Sequence, residues 1–556
     1  MQKKWAICKN HAVLQKDLAS SLNISPITAQ ILLNRQIQDA NEAEIFLKPE
    51  LSRLHDPYLL KDMDKAVDRI KTAISKKEKI LIYGDYDVDG LTAVALLICA
   101  FKKLGVHVSH FIPNRLEEGY GFNEKIVQIA KDKEISLIIT VDCGISAADV
   151  VSALTNSKID VIVTDHHEPV EGKFPDAFAV INPLQEGCAY PFKHLSGVGV
   201  AFKLAQAIFD SSTDLEEFLD LVALGTIADV VPLLGENRIL VKHGLSVLSN
   251  TRRKGIKALI EAASIRNKEI SARNVSHILG PRINAQGRLG SPESALRLLL
   301  TDHTDEAKDL AVLLDSDNRK RREIEQKTLK EALAKVEQEI NFKEHRVIVL
   351  SDENWHKGVI GIVASRIVEQ YYRPAILISV QKDTGKGSGR SIKGFDLISA
   401  LAECREYLED FGGHEAACGL AILKDNIENF KNAINKLAHK KLSPIDLLPT
   451  IDIDAELHLE ELDGKFLEEL ESLAPFGRGN PQPVFLSRDV ELKTKPAYYG
   501  RDGSRFWVKK GKVTCEAVSY NKIEIADKKI LDMVYAPSVS KYHGLETIKL
   551  QLKDFR

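Results

Sequence analysis

A short apolar run that breaks into three aspartates and resumes as a helix constrains this chain more than any other stretch. It is Lys79–Leu104, KILIYGDYDVDGLTAVALLICAFKKL. Ile80–Tyr83 has the length of a buried strand, the loop carries Asp85, Asp87 and Asp89, and a largely apolar segment of helical length follows from Leu91. Carboxylates crowded at the end of a buried strand repel one another, and a cation relieves them. The alternative is that Asp89 caps the helix and the other two are solvated.

The design recurs. Leu137–Val141 ends in Asp142-Cys143-Gly144, with a helix expected from about Ser146; Val161–Thr164 ends in Asp165-His166-His167; and Ala177–Ile181 ends in Asn182-Pro183. Short apolar runs alternating with helical stretches predict a parallel sheet covered by helices on both faces. The carboxyl ends of such strands open on one crevice, which brings Asp87, Asp89, Asp142 and His166 together. Asp229 joins them as the polar interruption of the apolar segment ALGTIADVVPL (223–233). Oxygen donors with an imidazole suit manganese or magnesium better than a thiolate metal such as zinc. Four or five carboxylates carry too much charge for one ion, so the expectation is two metals bridged by a carboxylate, an arrangement that activates water and stabilises the oxygens of a phosphoryl displacement. His167 is expected to face away from His166, because neighbours on a strand alternate, and so to meet substrate.

Composition excludes several classes. A formal net charge of −3 leaves no uniformly basic coat, so a nucleic-acid partner has to be met by local basic patches. Seven scattered cysteines without a CxxC pair suggest neither a disulfide framework nor a cysteine zinc site, and fit a reducing cytoplasm. The N-terminus lacks the apolar core of a signal peptide, and the longest apolar run, Leu91–Phe101, is too short to span a bilayer; a cytoplasmic protein with no membrane partner is expected.

Four ordered segments, DYDVDG (85–90), VDCGIS (141–146), TDHH (164–167) and GTIAD (225–229), resemble the phosphoesterase motifs of the DHH superfamily, with the likeness closest to its RecJ branch. The resemblance implies metal ligation by Asp87, Asp89, Asp142, His166 and Asp229, with Asp142 as the bridge and two divalent cations, Mn2+ or Mg2+, as cofactors. It implies hydrolysis of single-stranded DNA from the 5′ end in recombination and repair, with His167 polarising the scissile phosphate. One departure stands out: where many superfamily members carry a histidine four residues before the first of the paired aspartates, this chain has Tyr83, and Asp85 becomes the substitute ligand to test.

The length predicts roughly three or four domains. Expected in order are a helical segment over 1–75, a DHH catalytic domain over 76–235, a helical extension over 236–303, one long connecting helix over 304–341, a second α/β lobe over 342–442 and an OB-type β-barrel over 450–556. The glycines of GPRINAQGRLG (280–290) suggest a loop, whose Arg282 and Asn284 the resemblance turns toward the active-site cleft. In the second lobe, Gly387-Ser388-Gly389-Arg390-Ser391 is read as a loop with free amides, and Phe411-Gly412-Gly413-His414 as a turn before a helix. By resemblance to the DHH-associated substrate-binding domain, Ser388 and Arg390, with Arg115 of the first lobe, would hold the 5′-phosphate, and Gly412, Gly413 and His414 would meet a nucleotide. Between Glu491 and Lys512 seven cations stand against two acids, with Tyr498, Tyr499, Phe506 and Trp507 among them, a composition suited to a single-strand groove. A single-strand-binding protein and a helicase are the candidate protein partners.

Two rival readings remain open at this stage. A phosphoesterase for short oligonucleotides or signalling dinucleotides would share the motifs but has no need of a distal basic, aromatic domain. A non-catalytic DNA-replication scaffold with the same fold would have lost ligands, whereas this set is nearly complete.

Overall fold

A computed structural model describes residues 3–114, 121–209, 213–265, 269–500, 503–525, 529–542 and 545–556. After a first strand, β1 (Lys4–Ile7), and a helical stretch, the chain enters a five-stranded sheet of β2 (Ile80–Gly84), β3 (Ser109–Phe111), β4 (Leu137–Val141), β5 (Asp160–Thr164) and β6 (Ala179–Ile181). All neighbours are parallel, in the order β3-β2-β4-β5-β6. Side chains alternate between two cores. Ile80 and Ile82 pack with the helices Met63–Ser75, Val88–Lys103 and Gly197–Phe209, while Leu81 and Tyr83 pack with Lys125–Asp132 and Ala148–Asn156. Each buried Leu or Ile of these strands contributes about 1.5–3 kcal/mol. The chain steps from β2 outward to β3 and then back across to β4, so the connections diverge between β2 and β4; their carboxyl ends flank the crevice where open α/β sheets bind ligands.

The connecting helix runs over Thr304–Glu339, about 54 Å at 1.5 Å per residue, with no glycine or proline to break it. Leu310 and Leu314 near its start join the catalytic core, and Ala332 and Val336 near its end join the second lobe. That lobe is a mixed sheet of β7 (Ile348–Asp352), β8 (Ala375–Gln381), β9 (Thr384–Arg390), β10 (Leu408–His414) and β11 (Ala417–Leu423), ordered β10-β11-β9-β8-β7.

After β12 (Thr450–Ile453) and β13 (Ala455–Glu456) come the barrel strands β14 (Phe485–Leu492), β15 (Ala497–Tyr499), β16 (Gly503–Lys510), β17 (Val513–Ser519), β18 (Ile530–Tyr542) and β19 (Leu545–Phe555). The order β14-β18-β19-β17-β16, closed by pairing of β14 with β16, makes a five-stranded barrel of the OB type.

Residues 1–75 do not form one helical segment. β1 pairs in parallel with β12, and Leu18, Ile31, Leu32 and Phe46 share a core with Leu459, Phe466 and Phe485 of the C-terminal domain, whereas Met63–Ser75 packs on the catalytic sheet. Helical periodicity reveals that a face is buried but not which distant segment covers it. Arg238 fastens the junction. Its buried guanidinium stacks 3.8 Å from the Phe46 ring and donates to the carbonyls of Phe46, Leu473, Ser472 and Ala474 at 2.7–3.0 Å. Deleting 450–556 alone should therefore expose the apolar faces of the N-terminal helices and leave β1 unpaired, whereas deleting 1–47 as well removes the orphaned surface. Size-exclusion chromatography and thermal unfolding compare the two truncations; a 1–449 chain as monodisperse and stable as 48–449 would contradict the shared core.

Candidate metal centre and substrate cleft

Asp87, not Asp89, caps the helix Val88–Lys103. Its Oδ1 accepts from the backbone N–H groups of Asp89 (2.9 Å) and Gly90 (3.2 Å), so a carboxylate sits at the positive end of the helix. That frees Asp89, which is buried and accepts from the N–H groups of Gly197 (2.7 Å) and Val198 (2.8 Å) at the start of the next core helix. A Cβ at Gly197 would stand 2.5 Å from Asp142 Oδ1, and one at Gly225 would stand 2.7 Å from Asp89 Oδ1. Both glycines are there for close approach, which accounts for the glycine of the GTIAD segment.

Asp142 follows β4 with φ of 60°, a left-handed conformation that a short polar side chain tolerates. Its Oδ1 lies 3.1 Å from His166 Nε2, which is also 3.6 Å from Asp229 Oδ2 and 4.0 Å from Asp89 Oδ2. Asp229 arrives from the C-terminal end of the helix Leu219–Ala228. The donors fall into overlapping groups whose ligand atoms all lie within 4.8 Å of one another: Asp89, His166 and Asp229; Asp85, Asp87 and Asp142; and Asp142, His166 and His167.

The two histidines do not point apart as strand alternation predicts. Their rings lie 4.4 Å from centre to centre, because β5 ends at Thr164 and the alternation ends with it. Asp165 holds the turn that carries them and pairs with His167. Its carboxylate accepts from the N–H groups of Ile145, His166 and His167 and lies 2.7 Å from His167 Nδ1. Burial alone pushes Asp165 up and His167 down; their mutual hydrogen bond and charge prevail, holding Asp165 at about 2 and raising His167 to about 9. His166 goes the other way, lowered to about 4 by burial and by the charge on His167. At neutral pH the site therefore pairs a neutral imidazole, free to ligate, with a cationic one.

The carboxylates are in conflict without a counter-charge. Burial, then the charges of Asp229 and Asp87, push Asp89 well above the usual carboxylate range; burial and then Asp89, Asp87, Asp229 and Asp85 do the same to Asp142; burial and Asp87 raise Asp229 to about 7. Asp142 Oδ1, His166 Nε2 and Asp229 Oδ2 are buried and have no hydrogen-bond partner, yet they converge. Orphaned donors of this chemistry fit divalent cations that prefer oxygen and imidazole.

Tyr83 lies on the opposite face of the sheet, stacked on Phe111 and edge-on to Phe122, with its hydroxyl donating to the Gly121 carbonyl at 3.0 Å. Asp85 is buried beside Asp87 and Asp142, on the donor side.

A cavity of about 260 Å³ opens from the centre, lined by Tyr86, Asp87, Ala228, Asp229, Asn284, Gly287 and Arg288. The segment 280–290, expected as a loop, is instead mostly the helix Gly280–Leu289. A Cβ at Gly287 would stand 3.1 Å from the Tyr86 carbonyl, so this glycine lets the helix press on the acidic loop. Asn284 lies in the cleft as expected, its Oδ1 accepting from the Val88 N–H at 3.1 Å. Arg282 does not; it is buried against Asp315 of the connecting helix at 3.0 Å and bonds the Ile278 carbonyl. Arg288, the second arginine of this segment and not the one that the resemblance singles out, lines the cavity with Nη1 3.3 Å from the Gly358 carbonyl.

In the second lobe both glycine-rich stretches are strand rather than loop. Gly385–Arg390 pairs with β8 on one side and β11 on the other, so its amides are not free. Gly387 and Gly389 face the core, where a Cβ would meet Leu420 and Cys418 at 2.6–2.7 Å. The other face carries the chemistry. Register places Gly412, Gly419 and Ser388 in one row and His414, Ala417 and Arg390 in the next on the same side. A Cβ at Gly361, in the first turn of the helix Ile360–Tyr371, would stand 2.8 Å from Ser388 Oγ and 3.1 Å from Arg390 Nη2. Ser388 and Arg390 thus sit together beneath a helix N-terminus, with Arg390 Nη1 3.2 Å from Ser388 Oγ. Gly412, Gly413 and His414 lie on the exposed edge strand β10, followed by a hairpin and not a helix. Arg115 lies outside the described residues.

In the barrel, alternation along β16 separates the aromatic residues. Phe506 is buried in the core, while Arg505 and Trp507 project outward, with Tyr498 and Tyr499 exposed on β15. No helix among the described residues is long and apolar enough to cross a membrane.

Residues 79–226 match the DHH family N-terminal domain, 344–440 the DHHA1 domain and 453–554 the RecJ OB domain. The chain is 37% identical to the single-stranded-DNA-specific exonuclease RecJ of Bacillus subtilis over 558 residues, covering 99% of this chain and 70% of that one. It is 37% identical to RecJ of Escherichia coli K12 over 484 residues, 83% of each. The fold superposes on the crystal structure of RecJ from Thermus thermophilus in complex with Mn2+ with a TM-score of 0.86 at 30% identity, covering all of this chain and 79% of that one; the Mg2+ complex gives 0.79 at 28%, over all of this chain and 78% of that one.

Proposed function

The chain belongs to the RecJ family of single-stranded-DNA-specific exonucleases, and on that premise we propose that it hydrolyses single-stranded DNA from the 5′ end at a two-cation centre between β2 and β4. The observation that carries this reading is the convergence on Asp142 of two donor groups, Asp85 with Asp87 and His166 with its neighbours Asp89 and Asp229. Asp142 would be shared by the two cations. When bound, Mn2+ or Mg2+ supplies Lewis acidity, lowering the pKa of water and neutralising charge that grows on the phosphoryl oxygens.

The remaining work falls to the chain. Cationic His167, oriented and kept protonated by Asp165, donates to a non-bridging oxygen of the scissile phosphate, where charge develops. Ser388 and Arg390 grip the terminal 5′-phosphate, the guanidinium supplying charge-assisted hydrogen bonds. Anchoring that end fixes which phosphodiester reaches the centre, and so the direction of digestion. The side-chain-free pair Gly412 and Gly419, beside His414, offers bare backbone for a nucleotide to lie on. Outward Arg505 and Trp507, with Tyr498, give the barrel cations for phosphates and rings for bases. In this reading the enzyme works in the cytoplasm in recombination and repair, on strands exposed by a helicase and handed over from a single-strand-binding protein.

Digestion of single- and double-stranded oligonucleotides labelled at either end tests the proposal. With Mn2+ or Mg2+ a 5′ label should leave at once as a mononucleotide while a 3′ label marks a ladder of shortening strands; duplex and chelator-treated samples should stay intact. A 5′ label carried on shortening fragments, or equal digestion of duplex, would overturn it.

A further inference from the structure

The turn Phe476–Asn480, between the helix Gly464–Ser472 and β14, sits against the segment that follows Asp229. The Leu233 N–H donates to the Arg478 carbonyl at 2.8 Å. A Cβ at Gly477 would stand 2.7 Å from Leu233 Cδ1, and one at Gly479, whose φ is 75°, would stand 3.1 Å from Leu234 Cδ1. The turn is held from behind as well. Fully buried Asn480 donates to the carbonyls of Leu473 and Pro475, and its Oδ1 accepts from Arg35 Nε at 2.6 Å. At the tip of this fixed turn Arg478 is exposed, and among the described residues no carboxylate lies in ion-pair range of its guanidinium.

What lies beside Arg478 gives it a use. Its positive charge reaches Asp229, a member of the metal-site donor set and of the cavity wall. Val230, the residue after Asp229, is 56% exposed and held at φ of 63°, a conformation a β-branched residue rarely adopts. The chain thus exposes an apolar side chain directly after the cleft-lining Asp229, and an arginine whose guanidinium meets no carboxylate among the described residues. A structural arginine would be expected to find a carboxylate or stacked carbonyls, as Arg238 and Arg282 do.

We propose that Arg478 is a DNA-phosphate contact, supplied by the C-terminal domain to the mouth of the catalytic cleft, gripping a backbone phosphate of the strand as it passes Val230 toward the metal centre. This rests on the single-strand exonuclease reading. It makes the docking of the C-terminal domain on residues 232–234 part of the substrate path rather than a tether alone.

The test is steady-state cleavage of a long 5′-phosphorylated single strand by the full chain loaded with Mn2+, across a series of salt concentrations. Arg478→Ala should raise KM about tenfold, and the slope of log(kcat/KM) against log[salt] should become shallower by about 0.7, the share of one phosphate on a single strand. Arg478→Lys should recover the slope, since a single positive charge suffices for counterion release. The thermal midpoint reports on the turn. Unchanged KM and slope in Arg478→Ala, or a lower kcat with unchanged slope, would overturn the contact and leave the arginine an electrostatic neighbour of Asp229 only. If the unmodified chain fails to cleave single strands, the exonuclease reading itself fails, which is a different outcome.

Discussion

Replacing Asp142 by alanine is expected to lower hydrolysis by at least about a thousandfold while single-strand binding stays measurable. Asp142 Oδ1 is 3.1 Å from His166, and the same carboxylate stands in ligand range of Asp85 and Asp87, so its loss takes a ligand from two of the three donor groups and removes what links them. In the proposed reading DNA affinity comes from other parts of the chain, from Arg390 on β9 and from Arg505 and Trp507 on β16. The variant carries a second signature. In the presence of chelator the parent holds buried Asp89 and Asp142 beside half-buried Asp229, all pushed toward protonation by burial and by neighbouring carboxylates. Removing one member relieves that crowding, so the chelated variant should melt at or above the chelated parent, and the rise in melting temperature that Mn2+ gives the parent should be largely lost. Substantial nuclease activity in Asp142→Ala would contradict the assignment.

Arg390→Ala should cost about 10–100-fold in kcat/KM on 5′-phosphorylated strands and far less on 5′-hydroxyl ones. A charge-assisted hydrogen bond to phosphate is worth roughly 1.5–3 kcal/mol, and each 1.4 kcal/mol is about tenfold. The row His414–Ala417–Arg390 lies one step from Gly412–Gly419–Ser388 on the same face, so the guanidinium and the Ser388 hydroxyl are placed to meet one ligand in the proposed reading. Removing the guanidinium leaves the serine and the helix N-terminus above it, so binding should weaken rather than vanish. Equal losses on both substrates would sink the anchoring role.

What could be read from residues alone was the part governed by local rules. Apolar runs ending in Asp142 and His166 announce a parallel sheet, and such a sheet puts its carboxyl ends on one crevice. Asp229 was legible as a polar residue where an apolar one belongs. The misreadings arose where meaning depends on a distant partner. Gly287 is helical because the helix must press on Tyr86, and Gly387 and Gly389 are strand because Leu420 and Cys418 leave no room for side chains. Arg282 and Arg288 are six residues apart in one helix, yet only tertiary packing sends the first to Asp315 and the second into the cleft. The partnership of the N-terminal helices with the barrel has no sequence signal that periodicity can detect. Asp165, which keeps His167 protonated, was visible within its motif, but its role emerges only from the geometry of its carboxylate.

The central claim is that one crevice holds two divalent cations that share Asp142. Equilibrium dialysis against Mn2+ measures it most directly: the account predicts two ions bound per parent chain and at most one per Asp142→Ala chain, while a single ion in the parent, or two in the variant, would contradict it.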